Sequence, residues 1–380
     1  MSPPIRWAWA EVDLDAVAHN VRTLRERIAP SALWAVVKAD GYGHGAVDVA
    51  RTALAAGAEG LCVALVEEGI ELRRAGIDAS ILILSEQPPD SAPRIVAHRL
   101  TPTVYRTAFL DALVAERPTD LPVHLKVDTG MQRVGAHPSD AISLATAIAR
   151  RAPAVRLAGV FTHLAVADDL DAASVEFTDR QLAAFGTVLE QLPAVPYVHA
   201  ANSAAALSRP DARLSFVRAG IAIYGISPGH GVDHLCGDLH PAMELKARVS
   251  FVKQVRAGSR ISYGLRHRFD RDTTVATVPI GYADGVPRRL SGVSGEVLIG
   301  GHRRPIVGVV TMDQLMVDCG DDDVGIGDDV TLLGAQRRPD GHPEAIRAVD
   351  WADALGTIGY EIVCGVSKRI PRVPRRSIDG

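Results

Sequence analysis

Residues 34–45 read WAVVKADGYGHG. Ala35, Val36 and Val37 make the continuous apolar run of a strand buried in a parallel sheet, and that run delivers Lys38 to the strand's carboxyl end. A lysine held there is partly desolvated. Desolvation disfavours the ammonium form, so the neutral amine can attack an aldehyde and form an imine, as lysine does in pyridoxal phosphate enzymes. Three glycines, Tyr42 and His44 follow at once. Glycine lets backbone approach a bound group closely, and Tyr42 can donate a hydrogen bond to a phosphate. For VVK alone, a strand-end lysine reaching into solvent beside a turn is the plainer reading, and the residues around it decide between the two.

Between residues 12 and 225 seven further strand-like runs appear: EGLCVAL, SILILS, LTPTVY, PVHLKVD, RLAGVFTH, PYVHA and SFVRAGIAIYG. Segments with helical spacing lie between most of them, at 13–28, 46–56, 139–151 and 174–191. Strand alternating with helix implies a parallel sheet, and eight such units predict a closed (β/α)8 TIM-like barrel. The fourth unit is the weakest, because Pro89, Pro93 and Pro102 blur its ends. After residue 240 the texture changes to short, valine-rich, alternating runs such as LKARVSFVKQV, TTVATVPIGY, GEVLIGG and DDVTLLG, which predict a mostly antiparallel β domain. The predicted division is a barrel over 1–238 and a β domain over 239–380. Residues 227–239 act as linker, and WAWAEVDL near the start is expected to form a strand of the second domain.

With 380 residues, 47% of them hydrophobic, the chain is long enough for two domains and a large core. Its formal net charge of -4, without a basic block, argues against a nucleic-acid partner. No stretch is long and apolar enough for a bilayer span, and the start lacks a signal-peptide core, so a cytoplasmic protein is expected. Cys62, Cys236, Cys319 and Cys364 form no C-x-x-C pair, and no histidine cluster has ligand spacing; no catalytic metal is expected.

A barrel should gather its functional residues just past its strand ends. The sequence agrees: Lys38 and Tyr42 follow the first run, Lys126, Asp128 and Arg133 the fifth, His163 the sixth, Asn202 and Ser203 the seventh, and Arg218 and Tyr224 sit in the eighth. In order along the chain stand VVKADGYGHG, HLKVDTGMQRVG, THLAVAD, HAANSAA, VRAGIAIYG, SYG, IGYADG, VTMDQLMVD and GTIGYE. Together they resemble the alanine racemase family, and the likeness runs from WAEVDLDAV to GYEIVCGVSKRIPR.

The resemblance implies a pyridoxal 5'-phosphate enzyme in which Lys38 holds the cofactor as an imine and is one of two acid/base groups. The second is the tyrosine of SYG, Tyr263, contributed by the other subunit of a homodimer with shared sites. A phenol titrates near 10, so a site that uses one as a base must stabilise the phenolate. His163 is the implied partner, in a network running on to Arg218, whose guanidinium faces the cofactor's ring nitrogen. Because a guanidinium cannot readily give up a proton, that nitrogen stays unprotonated, which favours racemisation over transamination. The resemblance assigns the phosphate to Tyr42, Ser203, Tyr360 and the amides of Gly220 and Ile221, with Asn202 nearby. Arg133 and the Met312 amide take the substrate carboxylate, and Tyr282 and Asp313 complete the partner-side wall. Lys126 is a candidate for carbamylation. The implied reaction is interconversion of L-alanine and D-alanine, supplying peptidoglycan.

Gly41, Gln132, Leu164 and Gly359 depart from the commonest family pattern, but none replaces a catalytic group. The alternative within the family is a serine or broader-specificity racemase. An amino acid decarboxylase would place a carboxylate against the ring nitrogen where Arg218 stands. A non-catalytic carrier would be a lone barrel without Tyr263.

Overall fold

The computed structural model of the chain describes residues 6–376; the readings made above for residues 1–5 lie outside the described residues. Two compact units form, one of Ala16–His240 and one of the flanking described residues, through Asp15 and from Pro241. The first strand, β1 (Ala8–Asp13), belongs to the second unit. The first helix, α1 (Leu14–Ile28), shows why the helices form where they do: Leu14, Val17, Val21, Leu24 and Ile28 recur at helical spacing and are all buried.

The first unit is the predicted barrel. Its strands are β2 (Ala32–Val36), β3 (Gly60–Val63), β4 (Ser80–Ile83), β5 (Thr103–Val104), β6 (Leu121–Lys126), β7 (Val155–Phe161), β8 (Tyr197–His199) and β9 (Phe216–Ala219). They pair in parallel as β4-β3-β2-β9 and β5-β6-β7-β8. Two seams close the ring. Ile83 N donates to Thr101 O at 2.9 Å beside the parallel Leu82–Thr101 bridge, and Ser215 N donates to Val198 O at 2.9 Å. The fourth strand is only two residues long, directly after Pro102, where proline withdraws a backbone donor. One placement is corrected: Tyr224 is not in the eighth strand. That strand stops at Ala219, Gly220 turns the chain, and Tyr224 ends a 3-10 turn, donating from Oη to Val36 O at 3.0 Å.

At the amino ends of the strands the barrel is filled by rings. Trp34 stacks on Phe216 at 4.5 Å between centroids, and Tyr197 and His124 close around it. The space comes from glycine: a Cβ on Gly60 would lie 2.6 Å from the Trp34 ring, and one on Gly159 would lie 2.6 Å from the His124 ring. Gly60→Ala therefore overpacks a rigid layer. It is expected to cost about 1–3 kcal/mol, read as a melting point lower by about 2–4 °C per kcal/mol.

In the second unit β1 lies between Met243–Arg248, antiparallel, and Arg372–Arg375, parallel. From Met243–Arg248 antiparallel pairing continues through Asp329–Arg337, Glu296–Ile299, His302–Val307, Leu315–Gly320, Thr273–Val278 and Phe251–Val255. Helices Ala348–Leu355 and Gly359–Gly365 interrupt the β texture. No described helix is long and apolar enough to cross a membrane.

Candidate active site

Lys38, half-buried, begins the short α2 (Lys38–Tyr42) just past β2. The turn is left-handed: φ is 52° at Ala39, 54° at Asp40, 60° at Gly41, 52° at Tyr42 and 80° at Gly43. For an L-residue this conformation costs roughly 1–2 kcal/mol, so Ala39, Asp40 and Tyr42 are held against their preference. The hold is visible. Gly41 N donates to Val37 O and Gly43 N to Ala39 O, both at 2.9 Å, and Asp40 Oδ1 accepts from Ala46 N at 3.0 Å. The last bond ties the turn to the start of α3 (Ala46–Ala55). From α4 (Val66–Arg74), Glu68 Oε1 accepts from Ala39 N at 2.6 Å. Strain maintained in this way is characteristic of functional positions.

On the adjoining strand β9 stands a buried cation. Arg218 donates to His199 Nδ1 at 2.7 Å, His163 Nδ1 at 3.2 Å, Thr162 O at 3.0 Å and Ala200 O at 2.9 Å. Among the described residues no carboxylate pairs with it, since Asp211 is engaged by Arg209. Burial brings the Arg218 guanidinium down to about 10, still cationic at neutral pH. Burial, then Arg218, holds His163 and His199 well below the ordinary imidazole value, and His124 falls to about 3. These rings are therefore neutral, and their tautomers follow from Arg218, which can only donate. His199 accepts at Nδ1 and so donates from Nε2 to His124 Nδ1 at 2.9 Å. His163 accepts at Nδ1 and so carries its proton on Nε2. Phe161 supports the cluster, with Arg218 5.3 Å and Lys126 Nζ 5.6 Å from its ring centroid. Burial, with Arg218 and Arg133 nearby, brings Lys126 down to about 8.

Two loops complete the barrel side. Asn202 caps the helix Ser203–Ser208 by accepting from Ala205 N at 3.0 Å. Buried Ser203 accepts at Oγ from Gly220 N at 2.8 Å, and Ile221 opens the 3-10 turn that follows, where first-turn amides lack acceptors within the turn. A Cβ on Gly220 would lie 2.6 Å from Tyr42 Oη, so only glycine lets backbone and phenol meet there. The other loop carries Arg133, which is exposed. Asp128 Oδ1 accepts from Gly130 N at 3.0 Å and Gln132 N at 3.1 Å, and its Oδ2 accepts from Arg133 N at 3.1 Å.

In the β unit, Tyr263, Tyr282, Met312 and Asp313 line one cavity of about 720 Å³ with Arg288 and Gln314. Tyr263 is 74% exposed, on a turn fixed by the Ser262 Oγ bond to Val309 O at 3.1 Å. Gly281 has no room for a Cβ, which would lie 2.3 Å from Thr311 O; this close approach sets Tyr282 N on Thr311 O at 2.9 Å. Arg369 bonds Asp313 at 2.7 Å, and fully buried Asp284 receives Arg6 at 2.7 Å. Tyr360, in helix Gly359–Gly365, is not part of this lining.

The family model described as the N-terminal domain of alanine racemase matches residues 12–228, and that of the C-terminal domain matches 242–374. The chain belongs to the alanine racemase family. It is 46% identical to the alanine racemase of Symbiobacterium thermophilum over 97% of each chain, and 44% identical to that of Thermobifida fusca over 97% of this chain and 98% of the relative. It also superposes with a TM-score of 0.91 on the crystal structure of alanine racemase from Bacillus anthracis with bound L-Ala-P, at 38% identity, covering 99% of this chain and 97% of that one.

The donor set of this family member fits pyridoxal phosphate. A lysine amine, a cation for the ring nitrogen, and a cradle of Tyr42, Ser203 and the Gly220–Ile221 backbone stand on neighbouring strand ends, and Gly220 keeps that cradle open to backbone approach. Sequence reasoning did not single out His199, His124 or Glu68. His199 ends an apolar strand run, the same signal that marked His163, whereas Glu68 sits on a helix with no motif to mark it.

Proposed function

We propose that this chain interconverts L-alanine and D-alanine by passing the α proton between Lys38 on one face and Tyr263 of the partner subunit on the other. The observation that carries the reading is the pairing of a strained, lysine-bearing turn with a buried arginine that no described carboxylate neutralises. Inverting a stereocentre requires a proton to leave by one face and arrive by the other, so two groups are needed. Bound pyridoxal phosphate makes the α proton acidic by drawing charge into its ring. Arg218, which cannot readily give up its proton, would face the ring nitrogen and keep it unprotonated, which would limit how far charge spreads from the α carbon and favour return of the proton there. His163, with its proton on Nε2, is a ready donor to the Tyr263 oxygen when that oxygen is charged. The exposure of Tyr263 suits a residue that serves another copy, and we infer a homodimer with shared sites. The product serves peptidoglycan synthesis from the cytoplasm.

Arg133 is the group for the substrate carboxylate, which a guanidinium binds through two parallel hydrogen bonds. Lys126 is the candidate for carbamylation: its neutral amine adds to carbon dioxide, an N–C bond forms and a proton leaves. The change replaces a cation beside Arg133 with an anion, which braces the guanidinium instead of repelling it. Asp128 sets the Arg133 loop through its three amides. Asp128→Asn turns an amide NH2 toward one of those N–H groups. The unmet donors cost about 1–3 kcal/mol, so the KM for alanine is expected to rise about tenfold with kcat and cofactor affinity nearly unchanged, as steady-state kinetics and cofactor titration will show.

The deciding experiment is chiral chromatography after incubating purified protein and pyridoxal phosphate with L-alanine and, separately, L-serine. D-alanine appearing well ahead of D-serine supports the reading. Faster D-serine moves the chain to a sibling specificity, and substrate loss without a D-isomer rejects racemisation.

A further inference from the structure

We propose that Glu68 is a positioning residue that sets the orientation of Lys38 from the neighbouring strand–helix unit; the inference rests on the role assigned to Lys38 above. The Glu68 carboxylate accepts three backbone N–H groups and no side chain: Ala39 N on Oε1 at 2.6 Å, and Ala64 N at 2.7 Å and Leu65 N at 3.0 Å on Oε2. Among the described residues no arginine or lysine forms an ion pair with it, so its hydrogen-bond partners are backbone amides. Two of these bonds close the start of α4. The third leaves the helix and reaches the amide immediately after Lys38.

That amide is the point at which the turn is decided. The peptide plane joining Lys38 to Ala39 fixes how Lys38 leaves β2, and Ala39 is the first residue of the left-handed run. The far end of the run is tied within its own unit, through Asp40 to Ala46 N and by Gly45 N to Asp40 O at 2.9 Å. At the near end Glu68 supplies a tie from the next unit. Strands β2 and β3 pair in register, Val36 with Cys62, so α4 is carried at a constant offset from the lysine. Lys38 is thereby referenced to the frame of the barrel through one carboxylate, and a group that must both hold a cofactor and meet an α carbon needs such a reference.

Glu68→Gln separates the two functions of this side chain. The amide oxygen is best spent on the Ala64 and Leu65 donors, which turns the NH2 against the Ala39 N–H. The α4 cap survives and the tie to the lysine turn becomes repulsive. The test mixes cofactor-free protein with pyridoxal phosphate, follows the rise of visible absorbance, then reduces with borohydride and maps the modified peptide, alongside kcat, KM and thermal melting. Glu67→Gln is the control, since Glu67 makes only a surface pair with Arg94.

For Glu68→Gln the expected result is capture at Lys38 at least tenfold slower than in the parent, kcat lower by tenfold or more, KM within threefold, and a melting point close to the parent's. Capture and kcat within twofold of the parent would show that Glu68 only caps its helix. Labelling of another lysine in the parent would overturn the Lys38 assignment itself, a distinct failure. If Glu68→Gln does not fold, Leu65→Ser supplies an independent cap, since Leu65 already has the extended N-cap conformation and is exposed. In that background the same readings apply.

Discussion

Lys38→Ala is expected to lower racemisation by on the order of 10⁴-fold or more and to leave the purified protein without the visible absorbance of lysine-bound pyridoxal phosphate. Both effects come from one amine, which in the proposed reading holds the cofactor covalently and moves the proton on one face. The chain has five lysines, and Lys246, Lys253 and Lys368 lie in the β unit. Lys126 is the only other lysine of the barrel, and its lowered pKa makes it a chemically able rival. Its surroundings argue against it: Arg218 and Arg133 flank it, and Phe161 lies against its ammonium group, a site suited to bracing an arginine. Lys38 instead stands on a turn that the protein keeps left-handed through Asp40 and Glu68. Absorbance spectra and borohydride reduction with peptide mapping decide the matter. A band that survives in Lys38→Ala with the adduct on Lys126 would exchange their roles, and unchanged circular dichroism will show that the variant is folded.

The barrel was legible because parallel strands are covered on both faces and so read as unbroken apolar runs, and the rule that function gathers past strand ends then drew attention to Lys38, Arg133, His163, Ser203 and Arg218. Where the chain departs from regular geometry the reading fell short. Gly220 ends the eighth strand early, and a glycine inside an apolar run does not say whether it bends the strand or breaks it. The left-handed turn was foreshadowed by Gly41 and Gly43, but positive φ at Ala39, Asp40 and Tyr42 is imposed by bonds from Glu68 and Ala46 that no local pattern encodes. Glu68 was invisible for the same reason. Its partner is a backbone amide 29 residues away, and a backbone amide has no sequence identity. The helices Ala348–Leu355 and Gly359–Gly365 went unread within a valine-rich domain, although Trp351, Ala352 and Leu355 have helical spacing and are buried.

Tyr263→Phe deletes a single oxygen and should cost about 10²–10⁴-fold in racemisation, while leaving cofactor absorbance intact because Lys38 is untouched. Its second consequence is more specific to a two-base mechanism. With one base remaining, the α hydrogen of one enantiomer should still exchange with deuterated solvent without inversion, because Lys38 can remove and return a proton on its own face. The proposed shared site adds a third consequence. Lys38→Ala and Tyr263→Phe subunits are each nearly inactive alone, yet a mixed dimer pairs the intact lysine of one chain with the intact tyrosine of the other at one of its two sites. Random exchange of equal amounts makes half the dimers mixed, so about a quarter of all sites should regain both bases. Recovery approaching that fraction, measured by D-alanine formation after subunit exchange tracked with two affinity tags, would establish that Tyr263 acts across the dimer. Exchange without recovery would return Tyr263 to its own chain's site, and its exposure would then require a different partner.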